Sequence, residues 1–238
     1  MPRASWFYIG GAVYEVTQAS LFLDDWRGTA IAGDTGSFTS SLINGGGSST
    51  SQTYVDGNHL GIAFLQTGTL GAGACSVRHS SLSVVFGGGE TTYETLVLVP
   101  TVSDGTNTFG VRFGFGDLLA ASSADYGDGI YFEAPSVNAP NWFLKTAQAT
   151  VRTSLDLGVA VVAGIWVRLG FVVNAAGNSV QAMVNGLPVG APITTNIPVV
   201  PNTDACALMF NIWSTAGTAQ RQMHWDYVAT STIFTTPR

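Results

Sequence analysis

Between residues 165 and 228 apolar runs and turn signals alternate so closely that a meander of antiparallel strands is the natural way to fold the chain. The run IWVRLGFVV (165–173) is followed by the turn NAAGN (174–178), then by VQAMV (180–184) and the dipeptide Asn185-Gly186. Asn-Gly between apolar runs is a strong hairpin signal, because both central residues of a type I′ turn need positive φ and these residue types tolerate it best. Two further stretches with period-2 patterning close the chain, CALMFNIW (206–213) and RQMHWDYV (221–228).

The remaining sequence continues the theme. Strands are expected at 60–66, 75–79, 82–86, 93–102, 109–115, 129–134 and 142–151, separated by turn signals such as SDG at 103–105. Short strands at close intervals with little helical periodicity argue for an all-β sandwich or barrel. Only 117–123 has a weak helical pattern, and no internal repeat is visible. At 238 residues the chain fits one β-sandwich domain, since such folds commonly reach this length undivided. The segment 28–58 is rich in Gly, Ser and Thr, so it is expected to form a surface loop or to be ordered only by a neighbour. Residues 1–20 read as a separable arm whose Trp6, Phe7, Tyr8, Ile9, Val13 and Tyr14 carry more apolar area than a free terminus would keep in water. Residues 21–238 form the sandwich.

Composition narrows the partners. Charged residues are 10% of the chain, against about 25% in ordinary domains, and Lys145 is the single lysine. With a mean hydropathy of +0.28, apolar surface is expected to be covered by a second copy of the chain. The net charge of −6 and the scattered arginines argue against nucleic acid, where clustered cations must displace counterions. A membrane partner is not expected either, because the longest apolar run, 157–173, is broken by Gly158, Gly164, Arg168 and Gly170. Cys75 and Cys206 sit in apolar strands, where thiols behave as small hydrophobes, and nothing in their spacing demands a disulfide.

One strand carries a candidate site. In FGVRFGF (109–115) Phe109, Val111, Phe113 and Phe115 share one face, while Gly110, Arg112 and Gly114 share the other. The second face is almost bare around its arginine, which lets a ligand, another chain or a covering loop approach the backbone. The next strand alternates Ile130 and Phe132 with Tyr131 and Glu133, so if the two strands are neighbours Arg112 and Glu133 share a face. With Trp142 these residues make a speculative glycan face of Arg112, Tyr131, Glu133 and Trp142.

The Trp-led strand at 166, the VNG turn at 184–186, the Ile197-Pro198 step, the closing WDYV (225–228) and the GVRFGFGD (110–117) and DGIYFE (128–133) segments resemble concanavalin A-like and laminin-G-like jelly rolls, particularly those of bacteriophage structural proteins. The resemblance implies a two-sheet antiparallel jelly-roll sandwich over roughly 21–234. It also implies a virion protein assembled in the host cytoplasm: a capsid-decoration, fibre or spike subunit, trimeric, contacting other virion proteins and host surface glycans. A glycan-binding lectin-like module is the alternative, and a polysaccharide-cleaving enzyme the third reading. Retaining glucanases of this architecture carry an E-x-D-x-x-E strand because acid and nucleophile must flank one bond at about 5 Å, and this chain has no such motif. Glu90 and Glu94 share a strand face but sit at its start, beside three glycines. No enzyme is therefore expected. Among the histidines, His59, His79 and His224, only His224 alternates with a carboxylate, Asp226, and surface hydrogen bonding is the simpler account. The resemblance allows a structural calcium ion near the sheet rim, with Asp24-Asp25, 125–128 and 103–107 as oxygen-rich candidates; turn formation explains these residues more simply, and no cofactor is expected.

Overall fold

A computed structural model describes residues 62–117, 122–136, 141–199 and 206–236, with the backbone alone at 80–83 and in the strands between 6 and 52. Its strands are β1 (Trp6–Ile9), β2 (Ala12–Glu15), β3 (Ala19–Asp24), β4 (Ser40–Asn44), β5 (Ser48–Gln52), β6 (Ile62–Gln66), β7 (Ala74–Val84), β8 (Gly89–Leu98) and β9 (Thr108–Gly116). They continue with β10 (Gly129–Ala134), β11 (Asn141–Gln148), β12 (Val151–Ala160), β13 (Val167–Val173), β14 (Val180–Val184), β15 (Leu187–Ile193), β16 (Cys206–Ala216) and β17 (Gln222–Phe234). No helix occurs among the described residues, and so none that could cross a membrane.

Two antiparallel sheets form a jelly-roll sandwich. The seven-stranded sheet runs β12-β11-β10-β9-β16-β7-β4, and the eight-stranded sheet runs β15-β14-β13-β8-β17-β6-β5 with β3 also on β17. Alternation dictates which side chains meet between them. Phe113, Phe132 and Phe210 from the first sheet and Tyr93, Phe171 and Trp225 from the second are all at most 2% exposed. Phe210 stacks on Trp225 at 4.2 Å and Tyr93 meets Phe115 edge-on at 5.7 Å, so aromatic rings fasten one sheet to the other, while Tyr93 and Phe171 stack at 5.0 Å within the second sheet. Cys75 and Cys206 are buried in this core and are not joined by a disulfide.

Local geometry follows the turn chemistry read from the sequence. Asn185 and Gly186 take φ of 51° and 81°, the pair of positive values that a type I′ hairpin requires. Between β11 and β12 the same turn is made by Ala149 and Thr150, at 48° and 70°, although neither residue type favours it. The conformation is held from outside, since the Ala149 N–H donates to Asp128 Oδ1 and the Thr150 N–H to the Gly127 carbonyl.

That turn corrects one expectation: the strand expected at 142–151 is nearly all of β11, a hairpin turn and the first residue of β12. A second correction concerns 28–58. Instead of one surface loop, this segment supplies β4, paired with β7, and β5, paired with β6. Backbone ladder bonds at a sheet edge do not need apolar side chains, so Gly/Ser/Thr content misleads there. In the arm, β1 and β2 form their own two-stranded sheet with Trp6 opposite Glu15, Phe7 opposite Tyr14 and Tyr8 opposite Val13. The sandwich begins with β3, at Ala19. The weak helical pattern at 117–123 falls largely outside the described residues, as do His59 and Asp25.

Candidate functional site

The face of β9 opposite the core is built from Gly110, Arg112, Gly114 and Gly116. Arg112 stands in register with Glu133 of β10 on one side and with Asn211 of β16 on the other. The neighbourhood expected from alternation is therefore formed. Arg112 donates from Nε and Nη2 to Glu133 Oε2 at 2.8 and 2.6 Å, and Lys145 of β11 donates to Glu133 Oε1 at 2.6 Å. Both oxygens of Glu133 are thus held by cations, and Arg112 and Glu133 are only 1% and 5% exposed.

The β9–β10 connection covers this pair. From its described part, the Ala124 carbonyl accepts from Arg112 Nη1 at 2.6 Å and Asp125 Oδ1 accepts from Nη2 at 2.5 Å. Ser122 offers its carbonyl to Asn211 Nδ2, and Tyr126 offers its carbonyl to Arg152. Three rings surround the guanidinium, with centroids 4.8 Å (Trp213), 5.0 Å (Tyr126) and 5.3 Å (Tyr131) from its central carbon. Here the glycines have a physical role: a Cβ on Gly110 would lie 2.2 Å from the Trp213 ring, and one on Gly116 would lie 2.4 Å from Tyr126. Of the approaches the bare face allowed, the covering loop is the one realised.

Electrostatics keeps the cluster ionic. Burial pulls the Arg112 pKa down, but Glu133, Tyr126, Tyr131 and Asp125 together more than offset it, and the net direction is upward. Desolvation raises the phenols of Tyr126 and Tyr131, so both stay protonated at neutral pH. Three buried polar atoms here have no hydrogen-bond partner among the described residues: Tyr126 Oη, Tyr131 Oη and Asn211 Oδ1. Each such atom costs about 1–3 kcal/mol unless something pairs with it.

Trp142 does not belong to this face. It is 2% exposed and meets Phe113 edge-on at 5.6 Å in the inter-sheet core, because it shares the phase of Leu144 along β11, whereas Lys145 has the opposite phase. Lys145, Asn211, Trp213, Asp125 and Tyr126 complete the site; none is assigned to this face from sequence, although 125–128 stands out there as an oxygen-rich turn. Lys145 could have been found from its phase opposite Trp142; the loop residues had no periodic signal.

The other candidates resolve simply. His224 shares a hydrogen bond with Gln222 Oε1 at 3.0 Å, and burial lowers its pKa to about 4. Asp104 accepts from the Asn107 and Thr106 N–H groups and from Arg221, which holds its pKa at about 2. Asp117 accepts from the Gly127 N–H and Asp128 from that of Ala149, so these oxygen-rich turns are engaged by the chain's own donors. Among the described residues, no three His, Cys, Asp or Glu side chains gather as they would around a metal ion.

Sandwich topology and inter-sheet aromatic core define a jelly roll of the concanavalin A-like class, shared by glucanases and lectins. Within that class, the chain belongs to the family described as SO2946-like, C-terminal domain, whose model matches residues 58–226. The protein of unknown function SO2946 from Shewanella oneidensis MR-1 superposes with a TM-score of 0.59 at 10% identity, covering 92% of this chain and 89% of its own. Rv0315 of Mycobacterium tuberculosis, described as an immunostimulatory antigen and pseudo β-1,3-glucanase, gives 0.55 at 11% identity, with 89% and 98% covered. The carbohydrate recognition domain of Emp46p, in its metal-free form, gives 0.51 at 8% identity, with 77% and 87% covered. No curated protein matches the sequence.

Proposed function

We propose that this chain is a non-catalytic carbohydrate-binding module whose ligand meets the Arg112 face of the seven-stranded sheet. The observation that carries this reading is the state of Glu133. Across the seven strands of that sheet the carboxylates are Glu133 and Asp156, and Asp156 lies on the edge strand β12, where Asn141 and the Gly158 N–H donate to it. Retaining hydrolysis needs two carboxyl groups about 5–5.5 Å apart, one free to give up a proton and one free to attack. Glu133 has both oxygens engaged by Arg112 and Lys145, which suits a counter-ion and not an acid or nucleophile. The rings around Arg112 are buried, so a sugar would meet this face at its polar rim, where Asp125, Lys145 and Arg152 reach solvent. Support also comes from the carbohydrate recognition domain and the pseudo-glucanase that share the fold. A glycan array probed with the full chain, run beside product analysis on a polysaccharide panel, tests the reading. Retention of specific glycans without release of reducing ends or unsaturated products is expected; turnover lost in Glu133→Gln would refute it.

A second reading is favoured by the arm. The β1–β2 hairpin pairs with itself and with neither sheet of the sandwich, and Val162, Ile165 and Leu187 are 53–68% exposed. Both features suit a homotrimeric virion subunit of the capsid-decoration, fibre or spike kind, docked through its arm to a neighbour. Light scattering on the full chain and on a form lacking residues 1–20 tests it: a trimer that becomes a folded monomer on truncation is expected, and a monomeric full chain counts against it.

A further inference from the structure

Resting on the carbohydrate-binding reading, we propose that the Asp125 carboxylate holds the place of a sugar carboxylate, and that the ligand class is a uronic-acid-bearing glycan. Three cations converge on this one side chain. Arg112 Nη2 lies 2.5 Å from Oδ1, Lys145 Nζ lies 3.9 Å from it, and Arg152 Nε lies 3.7 Å from Oδ2. In a chain of net charge −6 with a single lysine, such a concentration of positive charge is a local departure from the whole.

The balance of charge points to an exchange. Glu133 stays in place, buried between Arg112 and Lys145, while the Asp125 side chain is 36% exposed and belongs to a connection. With Asp125 swung out, Arg112, Lys145 and Arg152 against Glu133 leave two unbalanced positive charges at the rim, so an incoming carboxylate replaces the lost partner. Rotation of one side chain frees the position, since the carbonyls of Ala124 and Tyr126 hold the backbone to Arg112 and Arg152 independently. Arg112 already gives Nε and Nη2 to Glu133 and Nη1 to the Ala124 carbonyl, so an incoming carboxylate would take the Nη2 contact that Asp125 now holds, beside the ammonium of Lys145. A second observation, independent of charge, supports a ligand here: the buried Tyr131 Oη and Asn211 Oδ1, on the strands flanking Arg112, lack hydrogen-bond partners among the described residues.

Calorimetry with the full chain in low salt tests the exchange, using three probes of matched length: an oligogalacturonate, its neutral galactose counterpart and a sulfated galactose oligomer. The oligogalacturonate is expected to bind at least about tenfold more tightly than the neutral probe, with affinity falling as salt rises. Asp125→Asn, which removes the competing charge and keeps the shape, should tighten oligogalacturonate binding roughly threefold to tenfold, a larger change than for the neutral probe. Lys145→Gln should weaken it by a similar factor, and thermal melts of both variants establish that they are folded. Unchanged or weaker binding by a folded Asp125→Asn, or preference for the sulfated probe, overturns the proposal. Binding of neutral glycans alone overturns it while sparing the carbohydrate-binding reading, whereas binding of no glycan on the array or in the calorimeter refutes both.

Discussion

The outer faces of the two sheets are built from the same pleated backbone and meet water in opposite ways. On the seven-stranded sheet Arg112 and Glu133 are buried under the β9–β10 connection, with aromatic rings packed around the guanidinium. On the eight-stranded sheet the corresponding ion pair, Arg168 with Glu94 at 3.8 Å, has side chains 43% and 38% exposed, and Glu94 lines a surface depression together with Gly170 and Met183. Glu94 also accepts from Tyr227 Oη at 2.5 Å. Glycines explain much of the difference. Gly110 and Gly116 leave room for Trp213 and Tyr126 to lie against β9, whereas the outer face of the second sheet carries Gly170 with no such ring across it. Where a covering element can approach, the same charge pair becomes structural; where it cannot, solvent screens it.

The comparison can be broken most forcefully at the arginines. Arg112→Met leaves Glu133 buried with only Lys145 as a cation, and should cost about 3–5 kcal/mol in urea denaturation. Arg168→Met on the open face should cost less than about 1 kcal/mol. Comparable losses for the two would show that the loop does not shelter the Arg112 pair. Next in size, Gly110→Ala and Gly116→Ala force a methyl into Trp213 or Tyr126 and should cost about 1–3 kcal/mol, while Gly88→Ala, with nothing within 4 Å of its added Cβ, should stay within about 0.5 kcal/mol.

A pH titration probes the open sheet alone, because His224 lies on β17 with its pKa lowered from 6.5 to about 4. Between those values the unfolded chain binds more protons than the native one, so stability is complete above pH 6.5 and falls as the pH drops toward 4. The expected loss is about 1–2 kcal/mol after allowing for partial exposure, and His224→Gln should remove it. The smallest effect is expected for Glu94→Gln, under about 1 kcal/mol at neutral pH, with melting temperature as the readout.

Much of this architecture was legible in the sequence, for reasons that also explain what was not. Alternation along 109–115 and 129–134 was enough to bring Arg112, Tyr131 and Glu133 to one face, and Asn185-Gly186 announced its turn. Trp142 was misassigned because period 2 separates two faces without saying which is the core; the apolar Leu144 in phase with it held the answer. The Ala149-Thr150 hairpin has no turn composition, since its positive φ values are imposed by Gly127 and Asp128 across space. β4 and β5 are edge strands recognised by backbone pairing alone. Asp125 and Tyr126 complete the site from an irregular connection, where no periodicity predicts placement.

The central claim is that Glu133 is a counter-ion beneath a binding face and does no chemistry. Its most direct test is to measure Glu133→Gln and the parent chain side by side for stability and for product release from a polysaccharide panel. The account predicts no product from either protein and a clear loss of stability in the variant, because Arg112 and Lys145 lose their shared negative partner. A parent chain that releases sugar products, with a Glu133→Gln variant equally stable but inactive, would contradict it.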